Sequence, residues 1–463
     1  MSRPSMHSLK SSRPKSSKSA FDMCAMMPVL AFAYSAIIQP LLYFSIPPAP
    51  GLQGLLESRP ENRIFWPAMA AIAVVLAARN LSRGGRLALP PNIIGLIAYV
   101  AFAGASVLWA FKPDLTFIRF TQEVMVLTAI VLPALLAART ADIMRGMYLC
   151  FAFAALVNVL LLPGGYDTIM RVGSAMVDIG YQGYFSGKNL LGEFAAIAFL
   201  LSIYELLYPG HRRVLGIIVA VIAIALLFLS SSKTALGLAL LAPFLAALTL
   251  IVGRTFRISA AVILVGLTLV YLVGTKLTGF DTDRIAYLLT GDSTFTGRTI
   301  IWSFAETEIA RSPFLGWGYQ GFWLVGPDAP SIVDAPGWVK LMPNAHNGYY
   351  DVMLELGYVG LTLLVIFLVT SLHVISRVAD HDYRRAWLLL TVALFIIIYN
   401  SLETLWFRAF DMSWVVFVIV IAEAARYWQP SLLKVPAHRP RPATPVNPGR
   451  LRGTWRPRLG ARS

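Results

Sequence analysis

Long apolar runs separated by short polar connections occupy most of this chain. A helix needs roughly 20 residues to cross a hydrocarbon core of about 30 Å, and about twelve runs approach that length. They lie near residues 24–46, 64–78, 93–111, 124–138, 143–162, 190–208, 214–230, 235–252, 258–274, 352–375, 386–401 and 411–428. The pattern predicts an all-α polytopic membrane protein with about twelve transmembrane helices.

The composition agrees with this fold class. Of the 463 residues, 57% are apolar and 14% are charged, against roughly 45–50% and about 25% in ordinary soluble domains. A soluble enzyme and a disordered chain are therefore excluded. The two cysteines, Cys24 and Cys150, both lie in apolar runs, so we expect neither a disulfide framework nor a cysteine metal site.

The basic residues predict how the spans are oriented. The chain has 39 Lys and Arg against 24 Asp and Glu, which gives a net charge of +15. With the N-terminus inside, the cytoplasmic segments hold 26 of the 39 basic residues, as the positive-inside rule requires. We therefore predict both termini in the cytoplasm and expect anionic lipid headgroups, rather than nucleic acid, to face the basic excess.

This topology divides the chain into three regions. Residues 1–22 and the Arg/Pro-rich residues 429–463 are basic cytoplasmic tails, predicted to be disordered because they cannot bury enough apolar surface. Residues 23–428 form the membrane domain. Its first apolar run continues to Ile46, longer than the apolar region of a cleaved signal peptide, so we expect an uncleaved signal anchor.

The longest polar connection runs from about residue 275 to residue 345 and falls on the outer side. Loops longer than about 15 residues are usually functional or disordered. Four tryptophans predict an ordered cap on the membrane, namely Trp302, Trp317, Trp323 and Trp338.

Within this loop, residues 296–311 predict an amphipathic helix. One stripe of it carries Arg298, Trp302, Ala305 and Ile309. Arg298 is either a cation that snorkels to the membrane interface or one that lies over the exit of a site.

His346 is the one histidine that this topology places on the outer side. A single imidazole cannot build a multi-histidine metal site, but it can act as a general base near neutral pH. The alternative is structural, with His346 and Asn347 capping the helix that follows. The spacing alone leaves both interpretations open.

Other charged residues collect at the outer ends of the spans. Lys188 begins a span, where a helix N-terminus and an ammonium together suit an anion, although an interfacial anchor explains it as well. Glu403 ends the eleventh span and is expected to pair with Arg408 or with a cation of the site. Arg119 and Arg284 are further cations on this side.

Taken in order, these motifs resemble the bacterial O-antigen ligase and polysaccharide polymerase superfamily, and within it the succinoglycan-type exopolysaccharide polymerases. The resemblance covers roughly residues 90–425. It rests on the Trp, Pro and Arg segment at 108–119, the Lys-Asn pair at 188–189, Gly-Arg-Thr at 297–299 with the aromatic string at 312–323, and His346 followed by ten residues and Gly357.

One feature departs from the pattern of the ligase branch, which has an Arg, three residues and a Leu in the loop. Arg298 is followed at that spacing by Trp302, whereas Arg284 is followed by Leu288. We favour Arg298 because its Gly-Arg-Thr context agrees with its place on the helical stripe.

The resemblance implies a glycosyltransferase of the bacterial inner membrane, which needs no metal and no cofactor. It would take an oligosaccharide from undecaprenyl diphosphate at the periplasmic face and polymerise it by transfer to an acceptor hydroxyl. His346 would be the base and Arg298 the catalytic cation. The expected substrate-binding residues are Lys188, Arg119, Arg284, Asn347 and Glu403. Expected partners are the lipid-linked donor, the acceptor glycan, the bilayer and other polysaccharide export proteins, with no nucleic acid among them.

Two alternatives remain. Ligation of O-antigen to lipid A–core uses the same donor and chemistry, and sequence does not expose the acceptor. A secondary transporter or flippase would have repeated halves and charged residues deep in several spans. In this chain the polar residues lie mainly in the outer loop and at helix ends, which does not favour a transporter or flippase.

Overall fold

A computed structural model describes residues 22–46, 59–82, 87–138, 140–162, 169–172, 175–178, 180–278 and 297–428. The two predicted tails fall almost entirely outside these ranges. Arg284 and residues 279–296 of the predicted loop also lie outside the described residues.

The described chain is built from long helices, which confirms the all-α polytopic class. They are α1 Met23–Ser45, α2 Pro60–Ser82, α3 Pro91–Leu108, α4 Pro113–Leu136, α5 Ile143–Leu160, α6 Lys188–Glu205, α7 His211–Ser230, α8 Lys233–Phe256, α9 Ala260–Thr278, α10 Arg298–Arg311, α11 Gly348–Val378, α12 Tyr383–Tyr399 and α13 Met412–Arg426. A short antiparallel hairpin, β1 Ile169–Val172 with β2 Ala175–Asp178, is an addition that the apolar pattern did not predict.

Each predicted span corresponds to one of these helices, but not all of them meet a simple criterion for crossing a membrane. Among the described residues, nine helices are long and apolar enough. The exceptions are α6, which carries three charged residues, and the shorter α12 and α13. All three are largely buried, and every residue of α13 is buried. The protein is thus a multi-pass membrane protein, and the number of twelve spans remains a prediction.

A proline in α1 shows how the bundle accommodates an interrupted helix. Pro40 has no N–H to donate to the carbonyl of Ala36, four residues earlier. A π-helical stretch, Tyr34–Ile38, lies at this point. The hydroxyl of Tyr184 donates to the Ala36 carbonyl at 2.8 Å instead, so a neighbouring segment satisfies the freed backbone group, as the apolar interior requires.

Residues 297–345 pack over a hydrophobic cluster separate from the membrane core. Its buried members include Ile301, Phe304, Ala305, Ile309, Phe322, Trp323, Val339 and Ala345. The indole of Trp323 donates to Asp351 at 2.7 Å, which fastens this segment to the start of α11. The described part of the predicted loop is therefore folded.

The stripe predicted for α10 is partly right. Ala305 and Ile309 are buried as predicted, with Ile301 and Phe304 beside them. Arg298 and Trp302 lie at the edge of this face and are only partly buried, because their polar groups are directed to partners outside the helix.

Gly357 breaks α11 and lets the preceding loop pack against it. Its φ of 62° is left-handed, and a Cβ there would lie 2.3 Å from the Phe314 backbone. The freed carbonyl groups are used by the loop, since Trp317 N–H donates to Leu354 O and Gly318 N–H to Glu355 O, both at 2.8 Å. Only glycine combines this dihedral angle with this close approach.

Candidate active site

One carboxylate, that of Glu403, joins three segments that are far apart in sequence. Arg298 donates from Nη2 to Oε1 at 2.6 Å, and Asn189 donates from Nδ2 to the same oxygen at 2.8 Å. The His346 ring contacts Oε2 through Nδ1 at 3.1 Å. The Arg298 and Glu403 side chains are each 16% exposed and that of His346 is 30% exposed, so the cluster is partly desolvated yet accessible.

Backbone contacts hold Glu403 next to the start of α11. The Gly348 N–H lies between the carbonyl groups of Asn400 and Glu403, at 2.8 and 3.0 Å. The side-chain oxygen of Asn400 in turn accepts from the N–H groups of Leu405 and Trp406. These bonds fix the turn after α12 against the residue that follows His346 and Asn347.

His346 and Asn347 have different roles, although the sequence offered one capping explanation for both. Asn347 is the N-cap of α11 and accepts from the N–H groups of Tyr349 and Tyr350. His346 does not cap. Its backbone is left-handed, with a φ of 48°, a conformation uncommon outside glycine, and its ring is directed to Glu403. The predicted contact of Asn347 with substrate remains a prediction.

The pairing of His346 with a carboxylate has a chemical consequence. A carboxylate next to Nδ1 favours the tautomer with the proton on Nδ1, which leaves Nε2 as a proton acceptor. The same carboxylate stabilises the imidazolium after Nε2 takes a proton, as in other base–orienter pairs. The geometry therefore suits a general base whose tautomer is set by Glu403.

Of the two partners expected for Glu403, Arg408 or a cation of the site, the structure shows the second. Arg408 pairs with Asp351 at 3.3 Å and with Glu355 at 2.9 Å, not with Glu403. Burial opposes the charge on Arg408, but Glu355 and Asp351 outweigh it and raise the pKa of the guanidinium above its usual range. Glu403 instead pairs with Arg298, a cation of the site.

Lys188 and Arg119 occupy different places relative to this cluster. Lys188 is the first residue of α6 and directly precedes Asn189, so it shares a helix terminus with the cluster. Arg119 lies on α4 and donates to the carbonyl of Gln320. It lines a cleft of about 360 Å³ together with Gln320 and Arg408.

The cleft and the Glu403 cluster are neighbouring but separate. Leu190, next to Asn189, lines the cleft. His346, Arg298 and Glu403 do not line it. The structure thus brings His346, Arg298 and Glu403 together, places Lys188 beside them, and sets Arg119 in the adjoining cleft.

The sequence analysis did not identify a pair of buried acidic residues near Glu403. Asp351 and Glu355 are both buried and four residues apart on α11. That spacing puts them on one helix face, and ionisable residues within an apolar run indicate function or pairing. This signal could have predicted that the two carboxylates need a cationic partner, although not which one.

Comparisons with known proteins agree with the motifs. Residues 218–365 match the family model described as O-antigen ligase (Wzy_C), a range that includes Arg298 and His346. The chain is 26% identical over 300 residues to "Exopolysaccharide production protein ExoQ" of Rhizobium meliloti, which covers 60% of this chain and 64% of that protein. It is 25% identical over 189 residues to a "Putative polysaccharide ligase" of Rickettsia felis, covering 40% of this chain and 46% of that one.

These matches span less than two thirds of the length of either relative. Their names concern polysaccharide production and ligation, and the matched family is one of enzymes. The resemblance inferred from the motifs is confirmed: residues 218–365 of this multi-pass membrane protein match the O-antigen ligase family model, and the chain is similar to an exopolysaccharide production protein.

Proposed function

We propose that this protein is an inner-membrane glycosyltransferase that polymerises undecaprenyl-diphosphate-linked oligosaccharides at the periplasmic face. The observation that carries the proposal is the carboxylate of Glu403, shared by His346 at 3.1 Å and Arg298 at 2.6 Å. Glycosyl transfer from a diphosphate needs a base for the acceptor hydroxyl and fixed positive charge for the leaving group. The cluster offers both at one place.

In the proposed reaction, the acceptor hydroxyl gives its proton to Nε2 of His346 as its oxygen attacks the anomeric carbon of the donor. The bond between that carbon and the diphosphate oxygen breaks, and its electron pair leaves with the lipid diphosphate. Glu403 holds the Nδ1 proton of His346 and stabilises the imidazolium. A base positioned in this way contributes about 10²–10⁴-fold to a rate.

Basic side chains balance the charge that develops on the diphosphate. Arg298 presents a planar fork that matches phosphate oxygens, and Lys188 adds a point charge at a helix terminus. Arg119, in the adjoining cleft, is a further candidate contact for the diphosphate. Arg284, which lies outside the described residues, is another. Preorganised cations of this kind act without reorganisation when the charge appears, so we expect transfer without a divalent metal.

Ligation to a lipid acceptor is the second candidate, since the matched family model and one relative are named for ligases. Polymerisation is favoured by the longer match to the exopolysaccharide production protein. Deleting the gene and sizing the surface glycan tests both. Loss of long chains with single repeats remaining supports polymerisation, whereas long chains retained on the lipid carrier support ligation. Normal glycan would contradict both.

The energy source can be tested on purified protein. The donor already contains the glycosyl–diphosphate bond, so transfer from it should proceed without nucleotide and survive EDTA. Loss of activity in EDTA that magnesium restores would overturn the metal-independent mechanism.

A further inference from the structure

One tryptophan of residues 297–345 differs from the others in its surroundings. Trp338 is 44% exposed, whereas Trp323 is 6% exposed. The edge of its indole lies 3.5 Å from the position that a Cβ on Gly297 would take. Gly297 directly precedes Arg298, so this exposed ring lies at the start of the helix whose first residue contacts Glu403.

A second aromatic surface lies beside the same cluster. The Trp302 indole donates to the carbonyl of Ala345 at 3.0 Å, next to His346. Its ring stacks on that of Tyr350, with centroids 6.0 Å apart and an angle of 14° between the planes.

A carboxylate completes this surface. The hydroxyl of Tyr350 donates to Oε1 of Glu306 at 2.6 Å, and Glu306 is exposed. Arg298, Trp302 and Glu306 are spaced by four residues, so they follow one face of α10. At 1.5 Å per residue, this face extends about 12 Å from the Arg298 end to Glu306.

We infer that the acceptor glycan binds at a subsite formed by Trp338, Trp302, Tyr350 and Glu306. This inference rests on the proposed function. A pyranose ring presents an apolar C–H face that packs on an aromatic ring, and its hydroxyls donate to a carboxylate. Binding sites of this kind combine aromatic area with a few placed polar groups. A glycan on this face would have its reacting end at Arg298 and His346.

A membrane contact is the competing explanation for the exposed indole. Leu341 lies three residues after Trp338 in the turn Gly337–Leu341 and is 67% exposed, so the two residues share one side of a 3-10 turn. Tryptophan is also frequent at membrane interfaces. Two observations favour the glycan: the Trp338 ring lies beside Gly297, at the start of α10, and the face of α10 that begins at Arg298 carries the exposed Glu306 carboxylate, which a bilayer would not favour.

Binding and transfer should be measured separately on the purified full chain. The probe is a soluble oligosaccharide cut from the producing cell's own surface polysaccharide, and its Kd is read by saturation-transfer NMR. We expect Trp338→Ala to weaken binding about tenfold and Trp338→Phe, which keeps a ring, to weaken it less. The near-isosteric Glu306→Gln should weaken it severalfold and does not depend on a change of packing. Trp428→Ala, an exposed tryptophan after α13, is the matched control and should leave the Kd unchanged.

The parallel transfer assay with the wild type separates the two hypotheses. If the wild type transfers glycan and both Trp338→Ala and Glu306→Gln leave the Kd unchanged, the subsite is wrong and Trp338 is a membrane contact. If the wild type transfers no glycan, the proposed function fails and the subsite fails with it. If Trp338→Ala and Glu306→Gln raise the KM for the acceptor and leave the KM for the donor unchanged, the subsite is supported.

Discussion

The imidazole of His346 contacts the carboxylate of Glu403, a residue 57 positions later in the chain, at 3.1 Å between Nδ1 and Oε2. The contact depends on the turn after α12, which Gly348 and Asn400 hold against the start of α11. The contact supports the proposed role of His346 as a base, because a carboxylate beside Nδ1 favours the tautomer that leaves Nε2 free to accept a proton. The first prediction therefore concerns the carboxylate rather than the base.

Glu403→Gln is expected to lower kcat by about 10²–10⁴-fold, because an amide neither fixes the Nδ1–H tautomer nor stabilises the imidazolium. The amide keeps the shape of the side chain and can still accept from Arg298, so the donor KM should change much less. Steady-state transfer with the purified lipid-linked donor measures both constants. An unchanged kcat would show that Glu403 only holds the fold.

His346→Ala is expected to abolish glycan transfer while the protein remains folded and inserted, because capping of α11 is performed by Asn347. Polymer length in cells, normalised to protein level, is the measurement. His373→Ala, a partly buried histidine far along α11, serves as the matched control and should support normal polymer. Normal polymer from the His346 variant would rule out the base.

Arg298→Ala is expected to weaken use of the donor strongly, and Arg298→Lys to restore it only in part. The reason is geometric, because a guanidinium can contact a carboxylate and phosphate oxygens through separate N–H groups, whereas an ammonium cannot reproduce the planar fork. The donor dependence of kcat/KM checks this. Arg284→Ala is the internal control. If Arg284→Ala inactivates the protein and Arg298→Ala does not, the role of the catalytic cation belongs to Arg284.

The helices could be predicted from the sequence because hydropathy is a local property. The motifs also named His346, Arg298 and Glu403, but the contacts among these residues could not be predicted because they depend on the fold. Arg298 and His346 are both more than 50 positions from Glu403 in the sequence, and no local pattern indicates that both contact its carboxylate. Arg408 is the nearer candidate in sequence, and only the fold shows that Asp351 and Glu355 already pair with it. Likewise, the His, ten residues, Gly pattern did not reveal that Gly357 opens the backbone of α11 to the loop.

Gly357→Ala is expected to lower the stability of the folded protein by about 1–3 kcal/mol, because a Cβ there is strained at positive φ and meets the Phe314 backbone at 2.3 Å. Thermal unfolding of the detergent-purified protein should show a reduced Tm. The matched control is Gly266→Ala in α9, where a Cβ meets nothing within 4 Å. Its effect should be neutral or stabilising, since alanine favours a helix over glycine. Equal Tm values for the two variants would contradict the packing argument.

The last prediction concerns the side of the membrane on which the cluster lies. Because 26 of the 39 basic residues fall on the predicted cytoplasmic segments, the segment that carries Arg298 and His346 should face the periplasm. Val333 is 67% exposed, so Val333→Cys should react with a membrane-impermeant thiol reagent in intact spheroplasts. Arg213→Cys, an exposed position in the first turn of α7 on the predicted cytoplasmic side, should react only after lysis, and the wild type gives the background from Cys24 and Cys150. The reverse labelling pattern would place the cluster in the cytoplasm, where a periplasmic polymerase could not use it.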